Sequence, residues 1–120
     1  MRTSLVTLIL GFVLACFSTA FAARADAEQK KIDYLIASVA ALEGATFIRN
    51  GSEYSAAKAA DHLRLKLRNA GDRIQTVEQF IDELGTKSSM SGETYRIRLK
   101  DGRVIESAQV FREKLAQYEP

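Results

Sequence analysis

One histidine, a serine-rich stretch and a short alternating basic run hold most of the chemistry open to this 120-residue chain. His62 could act as general base toward Ser89 or Ser91, because a serine hydroxyl needs a basic partner to become nucleophilic. That would make a small hydrolase. No nucleophile elbow or other hydrolase signature accompanies these residues. With Leu63 at the centre of an apolar helical stripe, His62 sits about 100° round the helix, on the border beside Lys66 and Asn69. A border histidine ordinarily packs or hydrogen-bonds, so no catalytic residue is assigned.

The segment from Ser88 to Tyr95 is the least ordinary in the chain. Small residues next to a glycine can aim several backbone N–H groups at one point, which makes Ser88, Ser89, Ser91, Gly92 and Tyr95 a candidate anion-binding loop. The plainer reading is a helix-to-strand connection whose serines bond locally to backbone. Arg96, Arg98 and Lys100 alternate with Tyr95, Ile97 and Leu99, which places three cations on one strand face as a candidate contact for an acidic ligand or partner. An ordinary solvated face with Glu106 opposite is the alternative.

Other chemistries are excluded by what is missing. A single histidine, and a single cysteine (Cys16) in a segment expected to be removed, leave no usual zinc site within one chain. There is no glycine-rich phosphate loop, and Asp101-Gly102 alone is not a calcium loop. No metal or cofactor is expected.

The N-terminus has the three-part plan of a secretory signal: Arg2, an apolar run from Leu5 to Phe17, and Ala20-Phe21-Ala22 as a small-x-small cleavage site. Residues 1–22 therefore read as a signal peptide, with cleavage after Ala25 as a second possibility. The run is short of the roughly 20 residues that a membrane span needs. No span is expected in the mature chain. A lipoprotein anchored through Cys16 is the alternative, although Leu14 fits that motif poorly. Setting aside Arg2 and Arg24 leaves 15 basic against 15 acidic residues. Balanced charge gives no case for nucleic acid.

The remaining chain, 26–120, reads as one α+β domain. Ile32, Leu35, Ile36, Val39 and Leu42 mark an amphipathic helix that Gly44 closes. Thr46 to Ile48 is extended, and Asn50-Gly51 forms a tight turn. Ser55 caps a second helix with a small-residue stripe ending at Gly71. Thr76 and Gln79 form a capping box for a third, carrying Val77, Phe80, Ile81 and Leu84. A hairpin turning at Lys100-Asp101-Gly102 pairs Ile97 with Ile105 and Arg96 with Glu106. Ser107 caps the last helix. The expected architecture is about four helices on a small antiparallel sheet, with the C-terminal hairpin as that sheet.

Several blocks resemble the YfeK-like family of small exported bacterial proteins: Phe47-Ile48-Arg49-Asn50-Gly51, His62 to Leu67, Arg73-Ile74 with Thr76, Glu78 to Asp82, and Ser88-Ser89 with Ser91-Gly92 and Tyr95. The likeness runs from about Ile32 to Tyr118. It implies export and a shared architecture, and carries no catalytic residues across. Where that family has Lys-Pro before the tyrosine, this chain has Glu93-Thr94. Separately, Ser91-Gly92-x-x-Tyr95 is similar to the loop of periplasmic inhibitors of c-type lysozyme, which are β-barrels. The expectation is a periplasmic or secreted non-enzymatic binding or interaction module, its partner a periplasmic protein or an anionic ligand.

Overall fold

The computed structural model describes residues 23–120. The signal segment, the cleavage site after Ala22 and Cys16 lie outside the described residues. Helix α1 (Asp26–Ala40) buries Ile32, Leu35, Ile36 and Val39, the stripe its spacing demands. Asp26 and Glu28 lie in its first turn, where the helix dipole favours acidic groups.

Strands β1 (Thr46–Arg49) and β2 (Ser52–Ser55) form a two-residue hairpin. Its corner is Asn50 at φ 49° and Gly51 at φ 76°, successive left-handed residues whose twist matches the flanking strands. The turn is as expected, but β2 is an addition. Ser52-Glu53-Tyr54-Ser55 has little apolar character, and it becomes a strand because the turn lays it against the open backbone edge of β1.

Helix α2 (Ala56–Ala70) starts from Ser55, whose Oγ accepts the Lys58 N–H at 3.2 Å, and ends at Gly71 with φ 54°. Its buried Ala60, Leu63 and Ala70 make a narrow stripe that lets α1 pack closely. Arg24, which cleavage after Ala25 would remove, donates from Nε to the Ile74 carbonyl at 2.6 Å and from Nη2 to the Gly71 carbonyl at 3.2 Å. The segment before α1 is thereby tied to the chain just after α2.

The capping box expected at Thr76 is present and opens α3 (Val77–Gln79). Beyond Gln79 the chain departs from expectation. Instead of continuing as an α-helix it widens into a π-helical turn, Phe80–Gly85. This turn buries Phe80, Ile81, Leu84 and Gly85 together. The Thr86 hydroxyl closes it by donating to the Ile81 carbonyl, five residues back, at 2.6 Å.

Strands β3 (Arg96–Arg98) and β4 (Val104–Glu106) pair in the expected register, Arg96 with Glu106 and Ile97 with Ile105. Leu99 N–H bonds the Arg103 carbonyl at 2.8 Å across the three-residue turn, and Gly102 takes φ 90°. Helix α4 (Ser107–Ala116) follows, and here the expected cap is corrected. Glu106 holds the cap position without a side-chain bond; Ser107 lies inside the helix, buried, its Oγ donating to the Gly85 carbonyl at 2.5 Å. Burial redirects the hydroxyl from its own helix to the π-helical turn.

The sheet is antiparallel throughout, in the order β2-β1-β3-β4. It is therefore wider than the C-terminal hairpin alone. One row of its inner face runs Tyr54, Phe47, Ile97, Ile105, and the helices pack over it to give the α+β fold.

Candidate functional site: a cavity with a cationic rim

Strand alternation puts Arg49 on the same face of β1 as Phe47, turned toward the helices. Continuing the β1–β3 register by one residue sets Arg49 beside Tyr95. On α2, His62 and Lys66 stand one turn apart and so share a face. Arg49, His62 and Tyr95 meet at a cavity of about 320 Å³, with Lys66 beside Tyr95 but outside the lining. Its walls are mainly apolar, from Phe47, Ala59, Leu63, Gly85 and Phe111, while Arg49, Tyr54, His62 and Tyr95 bring polar groups to it.

The Arg49 guanidinium donates to His62 Nε2 and lies 5.3 Å from the centre of the Tyr54 ring. Its Nε is buried without a hydrogen-bond partner. Lys66 donates to the Leu84 carbonyl at 2.9 Å, the Lys87 carbonyl at 3.3 Å and the Tyr95 hydroxyl at 3.1 Å, so it also caps the end of the π-helical turn. Burial and the nearby Arg49 lower the Lys66 ammonium to about 8. Burial raises the Tyr95 phenol, against the opposing pull of Arg49 and Ser88. His62 is lowered by burial first, then by Arg49 and Lys66, which keeps the ring neutral and able to accept from Arg49.

That shift has a sign that can be tested. In the unfolded chain His62 titrates near its ordinary value of 6.5 and in the fold at a lower value, so within that window the unfolded state binds more protons. Stability contributed by neutral His62 is present above 6.5 and lost as pH falls toward the folded value. His62→Gln should flatten this leg of the stability profile, read from urea midpoints between neutral and mildly acidic pH. A profile identical to wild type would place the acid sensitivity elsewhere.

The loop from Ser88 to Tyr95 is not an open cradle. Ser88 N–H bonds the Glu93 carbonyl and Gly92 N–H the Ser88 carbonyl, each at 2.9 Å. Ser88 Oγ accepts from the Met90 and Ser91 amides at 3.3 Å, and Ser91 Oγ accepts from the Glu93 amide at 3.2 Å. The amides of Ser88, Ser91, Gly92 and Tyr95 are thus used within the loop and at its base. Gly92, at φ 73°, supplies the left-handed residue of this closed loop. Asn50 clips the loop to the first hairpin through Ser88 and Ser91. Ser89 and Met90 stay exposed at the tip.

His62 and the serines are not brought together by any hydrogen bond among the described residues: His62 bonds Arg49, and Ser91 bonds Asn50. The lysozyme-inhibitor-like motif is divided in the same way, with Ser91 exposed and Tyr95 turned inward toward Lys66. Nor do the three cations of the basic run form one free face. Arg98 pairs with Glu53 of β2 at 2.7 Å, Arg96 lies opposite Glu106, and Lys100 leaves the strand for the turn, where its stem packs near Gly44. Arg49, Tyr54 and Lys66 are site residues that the sequence reading passed over. Two signals were available: a charged residue at an inward strand position, and a basic residue four after His62 on the same helix.

Among the described residues there is no group of three or more His, Cys, Asp or Glu side chains able to hold a metal ion, and no helix long and apolar enough to cross a membrane. The chain is similar over 68 residues, at 41% identity, to the uncharacterized protein YfeK of Salmonella typhimurium. That match covers 57% of each of the two chains. No solved structure matches the chain. The model of a family of unknown function, DUF5329, matches residues 26–119, from the first residue of α1 to beyond the end of α4. With the YfeK relative alongside, the chain belongs to this family.

Proposed function

We propose that this protein is an exported, non-enzymatic binding module whose ligand enters the cavity between the sheet and helices α2 and α4. The N-terminal plan of charge, apolar run and small residues supports export to the periplasm. The single observation that supports binding is the cavity itself, apolar in its walls with a few polar groups converging at one side. Its volume, about 320 Å³, is at the lower end of the range typical of small-molecule sites. A nucleophile held against a base would instead favour catalysis, and His62 is committed to Arg49.

Occupancy by a neutral fluorescent dye, N-phenylnaphthylamine, tests this directly. The purified protein should bind one dye saturably. Ala59→Phe places a ring in the cavity from a half-buried helical position and should abolish the signal while leaving the unfolding midpoint within a few degrees. Dye binding that persists undiminished in the folded Ala59→Phe variant would remove the cavity as the site.

A further inference from the structure

Arg49 is a half-buried cation in the wall of the cavity. Four cations nearer the surface carry carboxylate partners: Arg64 with Asp61, Arg98 with Glu53, Arg103 with Asp101 and Arg112 with Asp82. The half-buried Arg49, which has more need of one, has none among the described residues; Lys66 has none either, but the Leu84 and Lys87 carbonyls and the Tyr95 hydroxyl accept from its ammonium. Removing a charge from water is costly unless an opposite charge or full hydrogen bonding replaces the lost solvation. Arg49 has a neutral imidazole, an aromatic face and an orphaned Nε. Asp61 lines the cavity, but its carboxylate is engaged by Arg64 at 3.0 Å.

We propose that the cavity takes a small amphiphilic monoanion, a carboxylate on a short apolar chain or a single ring, with its head on Arg49 and its body along Phe47, Leu63 and Phe111. This rests on the cavity being the binding site. A carboxylate matches the planar fork of a guanidinium and supplies the missing countercharge, with Lys66 close behind Tyr95 to add to the field. A neutral ligand fills the apolar part and leaves Arg49 uncompensated; a cation meets the like charge of Arg49, with Lys58 also in the wall. The same head and tail occur in free amphiphiles and in membrane lipids. The cavity volume of about 320 Å³ commits the site to the free molecule.

Displacement of N-phenylnaphthylamine by octanoate, octanol and octylamine at neutral pH separates these cases. Octanoate should displace the dye at concentrations at least about tenfold lower than octanol, the worth of one charge-assisted hydrogen bond in a shielded site. Octylamine should be weaker than both. Arg49→Gln should bring octanoate to the level of octanol without changing octanol, and Arg49→Lys, which keeps the charge but not the fork, should retain part of the preference. Should Arg49→Gln fail to fold, Arg49→Met serves as the second variant and should remove the octanoate advantage in the same way. Equal displacement by octanoate and octanol would overturn the anion assignment while leaving the cavity as a binding site; no displacement by any of the three, with no dye bound, would overturn both. An octanoate preference unchanged in folded Arg49→Gln also overturns the assignment. Phosphatidylglycerol vesicles form the remaining arm: sedimentation of the protein with vesicles, without octanoate binding, would put the anion in a membrane instead.

Discussion

Phe80→Ala is expected to lower the free energy of unfolding by about 3–5 kcal/mol, the range for emptying an aromatic site in a packed core. Phe80 is fully buried and meets Phe111 edge-on, with ring centres 6.0 Å apart and planes at 78°. It therefore joins the π-helical turn to α4. Arg98→Ala gives the contrast. Its ion pair with Glu53 is largely exposed, at 42% and 55% of the two side chains, and pairs of that kind contribute well under about 1 kcal/mol. Urea titrations of both variants beside wild type decide it. A midpoint for Phe80→Ala no lower than that for Arg98→Ala would mean that the third helical segment is not the centre of the core.

The parts of the fold that sequence reading recovers are those governed by local chemistry. Asn50-Gly51 demands two left-handed residues, Ser55 and Thr76 carry hydroxyls that compete for free helix amides, and Gly102 selects the three-residue turn that fixes Ile97 against Ile105. What escaped depends on partners distant in the chain. β2 is a strand because β1 is beside it, and Ser107 turns from a cap into a buried donor because Gly85 offers a carbonyl. The same holds at the candidate site. The serines attract notice in sequence because they are clustered, but clustering lets them satisfy one another, as the bonds among Ser88, Ser91 and Glu93 show. Arg49 and Lys66 are 17 positions apart in the numbering and become neighbours only once β1, β3 and α2 are assembled. Their meeting is a property of topology rather than of any motif.

Gly85→Ala should destabilise the protein by about 1–3 kcal/mol, the cost of overpacking a filled core. The expected sign is the opposite of the usual one, since replacing glycine by alanine within a helix ordinarily gains about 0.5–1 kcal/mol. Conformation is not the obstacle here, because Gly85 is not among the positive-φ glycines. Space is. A Cβ at this position would fall 2.8 Å from Cε2 and 3.1 Å from Cδ2 of Phe111, a ring only 1% exposed and already set against Phe80. The ring must turn or α4 must move, and both Gly85 and Phe111 line the cavity, so relief of the clash changes the volume left for a ligand. Gly85→Ala should therefore lower the urea midpoint and weaken dye binding together. Shortening the ring side chain distinguishes contact from a general helical effect: in a Phe111→Leu background the Gly85→Ala step should cost clearly less than in wild type, a coupling that a double-mutant cycle reads directly. A stability gain from Gly85→Ala in the wild-type background would show that α4 does not approach the π-helical turn this closely, and the cavity wall they form would have to be redrawn.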